Sequence, residues 1–182
     1  MKLDKFDNSW YYPANKFKIM IWYFFNIFLF KTMIPIPSKI KIVILRLFGA
    51  KVGTGVVIKP NVSIKYPWFL KVGNNCWIGE SVWIDNFALV TIGNNVCLSQ
   101  DSYLLTGNHD YKKETFDLIV GEIVVEDGVW IGAKAIICPS VVCKSYSILA
   151  AGSVATKNLE EHCIYQGNPA VFKRERKYME KD

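Results

Sequence analysis

The sequence predicts an all-β solenoid, a parallel β-helix in which a short strand and a corner alternate along the chain. Three observations predict it. Apolar residues recur every six positions between Val52 and Ala155, glycine often follows them, and a small or β-branched residue often falls four places later. Neither the 3.6-residue rhythm of a helix nor simple alternation gives this spacing, and an internal repeat governs the fold before any single element does.

The repeat runs Val52, Ile58, Ile64; then Val72, Ile78, Ile84; then Ile92, Leu98, Leu104; and, after an interruption, Val125, Ile131, Ile137, Cys143, Leu149, Ala155. The step within a set is six; between the early sets it is eight, so two residues are inserted at one corner. Three six-residue sides return the chain to its start. Each apolar residue then points inward and stacks on the one eighteen to twenty positions later, as in Val52, Val72 and Ile92. Glycine, as in Val72-Gly73 or Ile131-Gly132, supplies corner backbone that branched residues resist. One coil buries too little by itself, so stacking drives folding.

Ahead of the repeat, residues 1–50 read as a helical, amphipathic segment. The apolar stretch Ile19–Phe30 contains Asn26 and ends at Lys31; a membrane span needs roughly 20 apolar residues, so a packed or interfacial helix is expected. A second helix is expected over Ser38–Phe48, with Ser38 as its N-cap and Gly49 after its end. Aromatic and basic together, residues 17–48 suit either the capping of the core or peripheral contact with a membrane surface. The solenoid itself is expected over 51–170. A basic tail, 171–182, follows, with a short C-terminal helix.

Length and composition set the bounds. With 182 residues, 51% of them apolar, the chain is one domain with a true core and not a disordered polymer. The net charge of +6 favours acidic partners. Nucleic acid is not among them, because the basic residues do not interleave with aromatics in a recognised module. Five cysteines without a CxxC pair, and an N-terminus carrying Asp4 and Asp7 in place of an apolar signal, point to a reducing, cytoplasmic setting with cysteine as a small apolar filler.

The repeat stops at Leu104 and resumes near Ile123, extruding a loop over 106–122, Thr106 to Glu122. A long loop in the middle of a stack is a place for function. It holds His109, one of two histidines, and histidine is the side chain whose ordinary pKa suits a general base near neutral pH. Asp110 follows it, and Asp85 and Asn86 precede the loop as candidate acceptor contacts. With His109 and His162 alone, one chain has no three-histidine metal centre, and no metal is expected.

The runs WIDNFALVTIGNNVCLS, TGNHDY, FDLIV, IVVEDGVWIGAKA and the GNPA tail resemble the hexapeptide-repeat acetyltransferases of colanic-acid and capsule biosynthesis and, more distantly, the galactoside and maltose O-acetyltransferases. The resemblance covers Val52 to Arg174 and is looser in the N-terminal region. It implies a left-handed parallel β-helix; the periodicity alone does not set the hand, and parallel crossovers are generally right-handed. It further implies acetyl-CoA as co-substrate, a saccharide acceptor, a homotrimer, and His109 as the base that deprotonates the acceptor hydroxyl, acting in the cytoplasm or at the inner face of the membrane. By the same resemblance Ala133, Ala151, Thr156, Lys157 and Arg174 contact CoA, with Trp130, Gly132, Gly152 and Lys173 beside them. A second arginine of the family falls on Val171, and an asparagine that holds the acceptor in the galactoside and maltose enzymes falls on Gly79, so the acceptor does not carry over from them. Two alternatives remain at this level: a nucleotide-sugar N-acetyltransferase on the same fold, and a non-catalytic β-helix scaffold.

Overall fold

The computed structural model describes residues 1–177. From Lys51 onward the chain winds into a three-sided column. The first face stacks Lys51–Val52, Leu70–Val72, Val90–Ile92, Ile123–Val125 and Val142–Cys143. The second stacks Val57–Ile58, Trp77–Ile78, Cys97–Leu98, Trp130–Ile131, Ile148–Leu149 and Cys163–Gly167. The third stacks Ser63–Ile64, Trp83–Asp85, Tyr103–Leu105, Ile136–Ile137 and Val154–Ala155.

All these neighbours are parallel, and the register is the one the six-residue period requires. Val52, Val72, Ile92, Val125 and Cys143 form one inward column. Ile58, Ile78, Leu98, Ile131 and Leu149 form the next. Ile64, Ile84, Leu104, Ile137 and Ala155 form the third. All fifteen are buried, as are the smaller residues four places on, Val56, Val62, Val82, Val96, Val129, Ala135 and Val141. Burying one such aliphatic side chain contributes about 1.5–3 kcal/mol, so the stack is held by repetition. Strands of two or three residues suffice because each coil bonds the next, as in Gly53 N–H to Val72 O at 2.8 Å and Val57 N–H to Cys76 O at 2.9 Å. Glycine at 132 is dictated by this approach: a Cβ there would lie 2.5 Å from the amide nitrogen of Ala151.

The open lower end of the column is closed by two helices, α1 (Lys16–Phe25) and α2 (Ser38–Leu47). Asn15 caps α1, its side-chain oxygen accepting from Lys18 N–H at 2.7 Å. The helix continues into a wider π-type turn, Asn26–Phe30. Residues four apart share a face, and Trp22, Asn26 and Phe30 are the buried stripe, with the Trp22 indole N–H donating to Ile64 O at 2.9 Å. The buried stripe of α2 is Lys41 and Leu45. Ser38 does not cap α2 as expected. Its hydroxyl accepts from Ile58 N–H at 2.9 Å, tying the helix to the column, and Pro37 holds the cap position. Among the described residues no helix is long and apolar enough to cross a membrane.

The expected basic tail and C-terminal helix are corrected in part. Ala170–Glu175 is a strand, antiparallel to Cys163–Gly167, and this hairpin closes the upper end of the second face. Positions 178–182 of that tail lie outside the described residues.

Candidate functional site

The corner between the third and first faces carries every insertion in the early coils. Two extra residues sit there after Ile64 and after Ile84, and the long excursion leaves there after Leu105. That excursion is an ordered hairpin: Gly107–His109 pairs antiparallel with Leu118–Val120. It is rooted in the coil beneath. The Thr106 hydroxyl donates to Asp85 O at 2.8 Å and accepts from Ala88 N–H at 3.1 Å. Gly107 lies against the Phe87 ring, which a Cβ would meet at 2.8 Å, so the residue two before the histidine has no room for a side chain.

His109 is half-buried at the end of its strand. Its Nδ1 lies 2.9 Å from Phe116 O. A carbonyl oxygen only accepts, so Nδ1 carries a proton, and in the neutral ring the lone pair is on Nε2. Phe116 also stacks on the imidazole, with ring centroids 4.3 Å apart and planes 2° from parallel. It does so from a φ of +53°, uncommon for an aromatic residue. Phe6 packs on the ring at 5.6 Å, and Lys2 bonds Glu114 through backbone and side chain, so the N-terminus straps the hairpin down.

Asp85 sits where the hairpin root meets a cleft of about 140 Å³ between the third face and the end of α1 with its π-type turn, walled by Tyr23, Asn26, Ile27 and Lys31 on one side and Ser63, Lys65 and Trp83 on the other. Its buried carboxylate pairs with Lys65 Nζ at 3.1 Å and accepts from the Tyr103 hydroxyl at 3.1 Å. Burial first, then the Asp85 charge, pushes the Tyr103 hydroxyl well above its ordinary pKa and keeps it a donor. Trp83 stacks on Tyr103 at 4.8 Å yet remains about half exposed, a flat surface at the cleft.

Two of the expected acceptor contacts, Asn86 and Asp110, take backbone partners in the structure. Asn86 is fully buried; its oxygen accepts from Lys65 and Tyr66 N–H, and its amide donates to Tyr66 O and Phe69 O, so it is spent on holding the corner. The Asp110 carboxylate accepts from Lys112 N–H at 3.1 Å, organising the hairpin tip.

A groove of about 870 Å³ runs along the upper second face. Trp130, Ile148, Ile164 and Phe172 form its apolar part, and Arg174, Arg176 and Lys177, with Glu175, form its charged end. The Trp130 indole N–H donates to the Ser99 hydroxyl at 2.9 Å, fixing the ring's edge. Arg176 bridges the carbonyls of Gly128 and Tyr146. An apolar trough with a cationic end is suited to a long ligand with an anionic terminus. Of the expected donor contacts, the structure brings Trp130 and Arg174 together here. Ala133 accepts from Gly152 N–H across adjacent coils at the corner between second and third faces, where Gly132 and Ala151 also lie. Thr156 and Lys157 are exposed just past the last third-face strand, and Lys173 is exposed on the final strand.

Sequence reasoning missed Phe6 and Phe116, whose roles come from a distant segment and from across a turn, and it missed Trp83 and Tyr103, a stacked pair that the twenty-residue register between coils signals. Burial raises the pKa of all five thiols, to about 12 for Cys143. Among the described residues no group of acidic, cysteine or histidine side chains is arranged to hold a metal ion.

No protein-family model matches the chain. A protein of Escherichia coli (strain K12) named as a colanic acid biosynthesis acetyltransferase, WcaF, is 35% identical over 163 residues, covering 90% of each chain. The structure of a maltose O-acetyltransferase from Clostridium difficile 630 superimposes with a TM-score of 0.77 at 21% identity, covering 92% of both chains. A hexapeptide-repeat acetyltransferase from Vibrio cholerae O1 biovar eltor, complexed with acetyl coenzyme A, gives a TM-score of 0.74 at 24% identity, covering 80% of this chain and 81% of that one.

Proposed function

This chain belongs to the hexapeptide-repeat acetyltransferases and is an acyltransferase, and from that premise we propose that it carries acetyl from acetyl-CoA to a saccharide hydroxyl in exopolysaccharide or capsule synthesis, with His109 as general base. The observation that carries this reading is the Nδ1–H bond to Phe116 O, which leaves a basic Nε2 on a ring clamped by Phe116. An alcohol becomes a competent nucleophile when such a base takes its proton as the new bond forms, an effect worth about 10²- to 10⁴-fold. The oxygen attacks the thioester carbon directly, and CoA leaves as the thiol. Transfer without an acyl-enzyme is supported by the five raised thiols, the opposite of an activated cysteine.

The donor is assigned to the groove, with its pantetheine arm along Trp130 and its phosphates toward Arg174 and Lys173; Ala133 and Ala151 extend that path onto the corner between second and third faces, and Thr156 and Lys157, past the third face, are proposed donor contacts outside this groove. The acceptor is assigned to the side of Asp85, where Trp83 offers a face on which a sugar ring can stack. In a three-sided column each corner lies opposite a face. The histidine hairpin leaves the corner opposite the second face, which bears the groove, so one chain holds base and groove apart. This supports a homotrimer whose sites form between copies. A cytoplasmic site for the reaction is supported by the five cysteines, all free thiols.

The test is acceptor-dependent CoA release from acetyl-CoA over a panel of saccharides, with products weighed by mass spectrometry. His109→Ala, still folded, is expected to abolish release; unchanged release removes His109 as the base. Mixing inactive His109→Ala with inactive Arg174→Glu after partial unfolding and reassembly is expected to restore activity if sites are shared between copies. No recovery places each site within one chain.

A further inference from the structure

Each end-capping helix uses one stripe to close the column and turns a second apolar stripe outward. On α1 and its π-type turn the outward residues are Phe17, Met20, Phe24, Ile27 and Phe28, all at least half exposed. Spacings of three and four put them on one side of the helix, away from Trp22, Asn26 and Phe30. On α2 the outward stripe is Ile40, Val43 and Leu47, the last 79% exposed, and Met33 and Ile34 are exposed in the turn between the helices. Monomeric proteins seldom leave large apolar side chains in so dense a group.

The charge around these stripes is one-sided. From residue 8 to residue 79 the chain has nine lysines, Arg46 and no acidic residue, a net of +10. Residues 1–7 are neutral, with Lys2, Asp4, Lys5 and Asp7, and residues 80–182 carry ten basic and fourteen acidic residues, so +10 − 4 gives the +6 of the whole. The positive charge is thus gathered at the helical end. Lys16 and Lys31 bracket the outward stripe of α1, and Lys39 and Arg46 flank that of α2, all four exposed. An acidic side chain packed at this end, Asp85, is already paired with Lys65.

We propose that the helical end is a docking surface for an anionic lipid bilayer, with the two apolar stripes entering the headgroup boundary and the flanking cations meeting lipid phosphates. The helices lie in the interface and do not cross it. The stripes disfavour nucleic acid as the polyanion, because Met20, Ile27, Ile40, Val43 and Leu47 are aliphatic or thioether side chains with no ring on which a base can stack. Tyr23, Ile27 and Lys31 both belong to this outer side and wall the Asp85 cleft, so docking sets the cleft's rim beside the headgroups. This deepens the proposed function by naming a partner for the acceptor side, and it is independent of the catalytic reading, since vesicle binding and CoA release are separate readouts.

The test is flotation of the full chain with phosphatidylcholine vesicles with and without phosphatidylglycerol. Binding is expected on the anionic vesicles, falling steeply between about 0.1 M and about 1 M salt as the screening length shrinks from about 10 Å to about 3 Å. Phe24→Glu with Phe28→Glu is expected to weaken binding about tenfold or more, while thermal melting and CoA release with a soluble acceptor stay near the parent. Ile40→Glu with Leu47→Glu gives an independent second variant should the first fail to fold. Lys31→Glu with Lys39→Glu is expected to reduce binding to anionic vesicles alone. Failure of the parent to float with anionic vesicles overturns the proposal. So does undiminished flotation of both apolar variants, or a fall in oligomer mass on Phe24→Glu without vesicle binding, which assigns the surface to a second copy. Competition of vesicle binding by duplex DNA that also binds the apolar variants as tightly as the parent overturns it in favour of a nucleic-acid face.

Discussion

In the coils, a residue's partner is known from its number: Val72 lies between Val52 and Ile92, and Ile131 between Leu98 and Leu149. In the histidine hairpin the partners obey no such arithmetic. His109 is held by Phe116 seven residues on and by Phe6 from the far N-terminus, and the hairpin tip by Lys2. Both regions are ordered, by different means. The coils are stabilised by many equivalent apolar contacts and tolerate weakening of one. The hairpin is placed by a few specific ones, each of which bears on the imidazole.

That contrast can be broken or sharpened by substitution. The largest expected effect is a loss of about 10²- to 10⁴-fold in kcat for His109→Ala with the melting temperature unchanged. Ile131→Ala, in the coil column, should do the reverse, costing about 2–5 kcal/mol of stability in a denaturant titration while kcat is kept wherever the protein stays folded. A His109 variant that unfolds, or an Ile131 variant that melts like the parent, would erase the distinction.

Asn86 tests where the two regions join. Its side chain answers four backbone groups at the corner beneath the hairpin. Asn86→Ala should cost about 1–3 kcal/mol for each buried group left unpaired and should lower kcat as well, because the hairpin root moves. A stability loss with kcat intact would make the corner and the hairpin independent. Phe116→Ala is expected to be milder, removing a ring contact worth about 0.5–1.5 kcal/mol. It should appear mainly in kcat, with KM for acetyl-CoA kept.

The smallest effect belongs to the coils in alkali. Burial pushes the Cys143 thiol up from 9.0 to about 12. A group whose folded pKa is raised contributes stability that is complete below its unfolded pKa and is lost as pH climbs toward the folded one. Stability should therefore decline between pH 9.0 and about 12, and Cys143→Ala should flatten that part of the pH–stability curve. In the native protein the same thiol should resist a thiol reagent that modifies the more exposed Cys163.

Much of this molecule was fixed by the one-dimensional pattern. Fifteen positions spaced by six named the inward columns, the corner with its insertions, and the place where the chain leaves the stack, because a solenoid converts sequence separation directly into spatial neighbourhood. The histidine was legible for the same reason: it stands in the interruption. What the pattern does not contain, tertiary structure decided. The N-terminal strap over His109, the final strand in place of a helix, and the outward apolar stripes of α1 and α2 all depend on segments meeting outside the repeat. Asn86 and Asp110 show the limit most directly. Their polar side chains suited a ligand as well as a backbone, and only the packed corner and the closed hairpin tip determined which partner they took.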